Sequence, residues 1–167
     1  MPDILIQGRD GFFSAYRAPA RDFRPGGVVT ERIEERLGEA HGIGPVVLSW
    51  EDIGMADGGY NVVIHEFAHK LDMANGAADG MPPLHSGMDR RAWAAAFREA
   101  YEGFCDAVDR GRETWLDPYA AHSPGEFFAV ISEMFFTDPA ETRRRYPEVY
   151  EQLKRYYRQD PASRLAT

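Results

Sequence analysis

Apolar and polar residues follow different patterns in the first 50 residues and in the rest of the chain. The apolar runs at residues 4–6 and 28–30 predict two short strands. Residues 31–37 are open between strand and helix on propensity, with the strand favoured. A further strand is predicted at residues 45–50, an apolar run with glycines on both sides. The beginning of the chain therefore predicts three short strands.

From about residue 60 onward the apolar residues recur with helical spacing. A helix predicted at residues 60–73 is apolar around most of its circumference, which is typical of a core helix. Residues 75–88 are rich in Gly and Pro and predict a loop. A long amphipathic helix is predicted next, with Asp89 as its N-cap.

The last part of the chain also predicts helices. Ser123 is a suitable N-cap for a helix over residues 124–136, with proline at its first position, and Pro139 and Pro147 open two shorter helices. The sequence contains no internal repeat or interdomain linker. Residues 1–167 are therefore expected to form a single domain.

Charge and cysteine content narrow the classes of function. Asp and Glu outnumber Lys and Arg by 27 to 19, for a net charge of −8, and the only basic cluster is at residues 143–145, so no nucleic-acid partner is expected. The single Cys105 cannot form an internal disulfide. No apolar run reaches the roughly 18 residues that cross a bilayer. We therefore expect a soluble, cytoplasmic protein with no membrane partner.

Residues 65–69, with the sequence HEFAH, predict a zinc site on the first core helix. Four residues on a helix rise about 6 Å and make little more than one turn, so His65 and His69 leave the same face. Zinc binds imidazole nitrogens, and Glu66 beside them could deprotonate a water molecule. Two histidines could also simply pack or cap the helix. The apolar residues around them favour a metal, because burying polar groups without a partner is costly.

A catalytic zinc site needs a third protein ligand. Asp72 lies about 10 Å beyond His65 along the helix axis, too far to join both histidines on one ion. Asp72 could instead hydrogen-bond a ligand imidazole or face the solvent, and the sequence leaves this open. His85 and His122 lie in loop-like sequence and are expected to be exposed rather than ligating.

Glu126 and Glu133 are better candidates because they punctuate an apolar helix. Glu126 also fits a capping box with Ser123, in which its carboxylate would reach back to the backbone N–H of Ser123, and spacing does not decide between ligand and cap. Glu133 lies on the same face two turns later. It could be the ligand, or it could accept a hydrogen bond from His65 or His69.

Three motifs together resemble the Mlc titration factor A family of bacterial zinc peptidases. They are HEFAHKLD at residues 65–72, DPYAA at 117–121 and EFFA at 126–129. The resemblance extends to GPVVLSW at 44–50 and YYRQDP at 156–161. The spacing is also similar to that of the catalytic domain of anthrax lethal factor.

The resemblance implies an α+β, zincin-like metallopeptidase domain, in which a small mixed β-sheet packs on an active-site helix and further helices complete the fold. It places Zn²⁺ on His65, His69 and Glu126, makes Glu66 the general base, and directs Tyr119 toward the oxyanion. Without the resemblance, Tyr119 would be interpreted as a packing aromatic.

The chain departs from related families at two points. Many glutamate-ligand zincins carry an acid one turn after the ligand, where this chain has Val130. Support for the ligands would then come from Asp72 or Glu133. Family members also usually have an N-terminal helical region that is not found here, so the chain is expected to be a short variant or a catalytic-core fragment.

We therefore expect a zinc-dependent peptidase acting on peptides, and the resemblance implies aminopeptidase activity. Residues 46–50 are expected to form an edge strand beside the zinc helix, to which an extended substrate could add by β-augmentation. Glu51 or Asp52 could bind a free α-amino group or could be solvated turn residues. The alternative is a regulatory module with structural zinc that sequesters a transcriptional repressor such as Mlc.

Overall fold

A computed structural model describes the backbone at residues 4–7, 38–40, 46–49 and 61–164, and the side chains at residues 61–164. The long continuous region is 72% helical and contains no strand. Its α-helices are α1 (Val62–Asp72), α2 (Arg90–Asp109), α3 (Pro124–Thr137), α4 (Pro139–Arg145), α5 (Pro147–Tyr157) and α6 (Pro161–Arg164), and 3₁₀-helices span Met73–Asn75 and Pro118–His122.

The prediction of an α+β fold built on a small mixed sheet is therefore wrong. Residues 61–164, which hold the candidate metal ligands with Glu66 and Tyr119, consist of helices and loops, and the residues of the core cluster all lie on them. The described residues before position 61 form three short strands, β1 (Ile4–Gln7), β2 (Gly38–Ala40) and β3 (Val46–Ser49). Local β propensity is confined to short runs near the start of the chain, whereas helical periodicity extends over most of the remainder.

The edge position predicted for β3 is also wrong. The strand order is β1-β3-β2, so β3 lies in the middle, parallel to β1 and antiparallel to β2. A strand paired on both sides has no free row of backbone groups, and a substrate strand cannot add to it. The strand predicted at residues 28–30, the candidates Glu51 and Asp52, and Trp50 lie outside the described residues.

Helix starts follow the capping residues in the sequence. Asp89 and Ser123 accept hydrogen bonds from first-turn backbone N–H groups at 2.8 and 3.1 Å, which confirms both predicted N-caps. Asn61, which was not predicted, caps α1 in the same way, with its Oδ1 atom 3.1 Å from the Ile64 nitrogen. The prolines at the first positions of α3, α4 and α5 also lie where the sequence placed them.

An aromatic core surrounds α3, in which every residue from Phe127 to Glu133 is buried. Trp93 stacks on Phe97 at a centroid distance of 4.4 Å, and both rings contact Phe128 at 6.0 Å. Each fully buried aromatic side chain of this kind contributes about 1.5–3 kcal/mol. Because α3 is central, the acidic residues that it carries are held among apolar neighbours. No helix in residues 61–164 is long and apolar enough to cross a membrane.

Candidate metal centre

The two histidines of α1 turn toward one point. His65 is 5% exposed, and its Nε2 atom lies 3.1 Å from Nε2 of His69. The rings meet edge to face at 76°, with centroids 4.7 Å apart. This is the arrangement that the four-residue spacing predicts, with both imidazoles on one face of the helix.

Glu126 of α3 completes a triangle with the histidines. Its Oε2 atom lies 3.2 Å from Nε2 of His65 and 3.2 Å from Nε2 of His69. Within residues 61–164 these three side chains are the only group of His, Cys, Asp and Glu found with the spacing to hold a metal ion. Helix α3 therefore supplies the third donor that α1 lacks.

The triangle fits a tetrahedral zinc ion. Zinc lies about 2.0–2.2 Å from nitrogen and oxygen ligands, so neighbouring donors of a tetrahedron are about 3.3–3.6 Å apart. The observed separations of 3.1, 3.2 and 3.2 Å are close to this spacing. Three such donors leave the fourth tetrahedral position for water or substrate, as in catalytic zinc sites.

Glu133 fixes the orientation of His65. Its Oε1 atom lies 2.7 Å from Nδ1 of His65, and its Oε2 atom accepts the backbone N–H of Asn61 at 3.0 Å. A carboxylate accepts hydrogen bonds, so Nδ1 of His65 donates to Glu133, and Nε2 is the nitrogen that faces the cluster and is available to a metal ion. Glu133 thus lies on the far side of His65 from Glu126, where it can orient the imidazole but not share the ion.

The carboxylates give the cluster a preference for positive charge. Burial by itself lowers the pKa of His65, but the hydrogen bonds and charges of Glu126 and Glu133 outweigh it and raise this pKa to about 9. Burial favours a higher pKa for Glu126, but hydrogen bonds from His65 and His69 hold it at about 2. A divalent cation bound at the cluster would be stabilised by the same negative charges of Glu126 and Glu133.

Only half of the predicted capping box is present at Glu126. The Ser123 hydroxyl accepts the backbone N–H of Glu126 at 3.1 Å, as an N-cap should. The Glu126 carboxylate points instead to the two imidazoles. The same residue therefore serves the helix through its backbone and the site through its side chain.

Glu66 and Tyr119 lie beside the cluster. Glu66 is 6% exposed on α1, whereas Tyr119 is 51% exposed at the 3₁₀-helix before α3. Burial, the charge of Glu126 with hydrogen bonding to it, and the charge of Glu66 together raise the pKa of the Tyr119 phenol. The phenol therefore stays protonated near both carboxylates, where it can act as a hydrogen-bond donor.

His122, exposed as expected, lies against the Tyr119 ring at a centroid distance of 5.3 Å.

Asp72 neither hydrogen-bonds a ligand imidazole nor faces the solvent, the two roles that the sequence left open. It is 0% exposed, and no hydrogen bond joins it to an imidazole among the described residues. Its Oδ2 atom accepts the backbone N–H of Gly80 at 2.8 Å, whereas its Oδ1 atom is buried without a partner. Burial raises the pKa of Asp72 to about 6, although the hydrogen bond from Gly80 by itself lowers this pKa. No sequence signal indicated this contact, because Gly80 lies in the irregular loop after α1.

Fold and site together define a helical domain that presents two histidines and a glutamate for a metal ion, with a further glutamate beside them. The chain matches the family described as glucose-regulated metallo-peptidase M90 over residues 12–158, and it belongs to this family. The predicted family is thereby confirmed.

Curated relatives extend the comparison. Mlc titration factor A of Edwardsiella ictaluri (strain 93-146) is 45% identical over 135 residues, covering 78% of this chain and 51% of that protein. Mlc titration factor A of Yersinia pestis (strain Pestoides F) is 42% identical over 144 residues, covering 83% of this chain and 53% of that protein. The chain thus spans about half the length of these relatives.

Proposed function

We propose that this protein is a zinc-dependent peptidase, with Zn²⁺ held by His65, His69 and Glu126. The observation that carries the proposal is the convergence of three donor atoms from two helices, at separations of 3.1 to 3.2 Å. When bound, zinc would acidify a water molecule and polarise the carbonyl of the peptide bond. Membership of a metallo-peptidase family supports the same conclusion.

The protein groups around the metal have distinct tasks in this proposal. Glu66 accepts the proton of the attacking water and delivers it to the leaving amine, as a general base and then a general acid. Tyr119 donates a hydrogen bond to the oxygen on which negative charge develops. Glu133 holds the His65 ring in its tautomer and orientation through the 2.7 Å contact at Nδ1.

Chelation tests the proposal directly. We expect the purified protein to contain stoichiometric zinc and to cleave members of a peptide library, and we expect a chelator to remove both zinc and activity. Adding Zn²⁺ back should restore turnover. A protein that binds no zinc, or that cleaves peptides equally well after complete metal removal, contradicts the proposal.

We extend the proposal to cleavage at the amino terminus of peptides, which the family resemblance implies. The matched substrates are one peptide with a free α-amino group and the same peptide acetylated. An aminopeptidase cleaves the first and spares the second, because it must bind the free amine. Equal cleavage of both would limit the activity to an endopeptidase.

A second candidate function comes from the name of the relatives. Proteins called Mlc titration factor A match most of this chain, which supports binding of an Mlc-like repressor. Calorimetric titration with the Mlc homologue of the same organism tests this function. Binding by a zinc-containing protein that has no peptidase activity would favour the regulatory module over the enzyme.

Replacing Tyr119 with phenylalanine should lower kcat by on the order of 10²–10³, the cost of losing one oxyanion donor, with little change in KM. Zinc content and thermal stability should remain, because the ring is kept and the side chain is half exposed. Steady-state kinetics on a cleaved library peptide provides the measurement.

Tyr101→Phe is the matched control, since it removes a phenol whose hydroxyl donates to the Ala121 carbonyl at 3.0 Å in the same part of the fold. It should leave kcat within a few-fold of wild type. An equally small effect of Tyr119→Phe would assign Tyr119 to packing and leave the metal centre unaffected.

A further inference from the structure

The C-terminal end of the metal-binding helix is held by a carboxylate that the proposed chemistry does not use. We propose that Asp72 is a positioning residue, which fixes the loop at residues 78–81 between α1 and the first turn of α3 and so sets the distance from His69 to Glu126. This inference rests on the proposed metal centre. Its evidence is the packing around Asp72, Gly80 and Gly125.

The loop is tied to two helices through one residue. The backbone N–H of Gly80 donates to Oδ2 of Asp72 at 2.8 Å, and its carbonyl accepts Nε1 of Trp93 at 3.0 Å. Asp72 is the last residue of α1, and Trp93 is a fully buried residue of α2. Both polar groups of Gly80 are therefore fixed inside the protein, in a backbone conformation with φ of +76° that favours glycine.

The same loop lies directly against the backbone of α3. A Cβ atom on Gly80 would approach the carbonyl oxygen of Pro124 to 2.8 Å. A Cβ atom on Gly125 would approach the carbonyl oxygen of Ala78 to 2.7 Å and Oδ2 of Asp72 to 3.4 Å. Backbone contacts this close leave no space for a side chain, so the position of the loop determines the position of the first turn of α3.

These contacts reach the metal ligands over a short distance. Asp72 follows His69 by about 4.5 Å along α1. On the other side, Gly125 immediately precedes Glu126 in α3. Ligand distances in a metal site hold within about 0.2 Å, so a shift of the loop by a fraction of an ångström would separate Glu126 from the two imidazoles.

Asp72 complements Glu133 at the other end of the helix pair. Glu133, near the end of α3, holds the N-terminal end of α1 through Asn61 and His65. Asp72, at the end of α1, holds the beginning of α3 through Gly80. The two helices run in opposite directions and are fastened at both ends by buried carboxylates, with the three metal donors between them.

Zinc affinity of the full chain tests the inference. Zinc Kd is measured by competition with a chromophoric chelator, at a temperature where circular dichroism shows each variant folded. Asp72→Ala should weaken zinc binding by about 10–100-fold, the usual effect of residues that support metal ligands. Asp72→Asn should restore most of the affinity, since its amide oxygen can accept the Gly80 N–H.

Asp160→Ala is the matched control, because it removes a carboxylate that accepts the Tyr150 hydroxyl at 2.6 Å and links α5 to α6.

A second variant approaches the loop from the opposite side. Gly125→Ala keeps Asp72 and has better helix propensity, so weaker zinc binding there would come from displacement of the loop and not from loss of helix. If Asp72→Ala does not fold, the zinc Kd of Gly125→Ala tests whether the position of the loop controls zinc binding. The absorption spectrum of bound Co²⁺ should change in both variants and not in Asp160→Ala, because it reports the arrangement of the ligands.

Unchanged zinc Kd and Co²⁺ spectrum in a folded Asp72→Ala variant, or in Gly125→Ala, would overturn the positioning role while leaving the metal centre in place. A wild-type protein that binds no zinc would overturn both. A wild-type protein that binds zinc but cleaves no peptide would contradict the proposed enzyme alone, and the ratios of zinc Kd would still decide the role of Asp72.

Discussion

Peptide hydrolysis should fall by about 10²–10⁴ when Glu66 is replaced with glutamine, the range that general acid–base groups contribute. Zinc stoichiometry should be unchanged, because the three donors come from His65, His69 and Glu126. Glutamine has nearly the same shape as glutamate but cannot take a proton from water. The loss should therefore appear in kcat, with KM and the thermal midpoint close to wild type.

Glu102→Gln provides the matched control, since it makes the same chemical change at an exposed position of α2. It should leave turnover and zinc content unaltered. Equal turnover of Glu66→Gln and wild type, once contaminating protease has been excluded with a chelator and a mock purification, would remove Glu66 from catalysis. Such a result, with zinc still bound, would favour the regulatory module.

Replacing Glu126 with alanine should have the second large effect. Zinc would retain two protein donors, His65 and His69, and its affinity should fall well beyond the 10–100-fold typical of residues that only support ligands. Glu133→Ala should fall within that smaller range. Isothermal titration of the zinc-free proteins with Zn²⁺ gives both Kd values, and the order of the two effects is the informative quantity.

Glutamine at position 133 sharpens this comparison. The carboxylate of Glu133 accepts two hydrogen bonds, from His65 and from the backbone of Asn61. Glutamine has a single acceptor oxygen, so one of these donors would face an amide N–H₂ group. Glu133→Gln should therefore weaken zinc binding although it keeps the side-chain volume. Zinc retained by Glu126→Ala and lost from Glu133→Ala would reverse the assignment of ligand and orienting residue.

Local features of the site could be predicted from the sequence. The facing imidazoles of His65 and His69 follow from the geometry of any α-helix, and the caps at Asp89 and Ser123 depend on residues within one turn. These interactions span four residues or fewer, so neighbouring residues suffice to specify them. For the same reason, the predicted helices at residues 60–73, after Asp89 and at residues 124–136 agree with α1, α2 and α3 to within a few residues.

Fold class and strand position could not be predicted in this way. The apolar runs near the beginning of the chain have β propensity, but propensity does not reveal how much of the domain a sheet will occupy. The place of β3 between β1 and β2 depends on pairing with residues 4–7, far away in the chain. Such non-local pairing leaves no trace in the composition of β3.

Sequence alone determined the pair of histidines with Glu66 between them, because helical periodicity is a local property. The tertiary structure decided the rest of the site. It brought Glu126 to His69 across 57 positions and Glu133 to His65 across 68, and it buried Asp72 against Gly80. From the sequence, Glu126 could also be a cap and Asp72 a solvated residue, whereas Glu133 was open between a ligand and a hydrogen-bond acceptor for a histidine. Only the packing of α1 against α3 removes water from these carboxylates and gives them imidazole or backbone partners, which is why the sequence left their roles open.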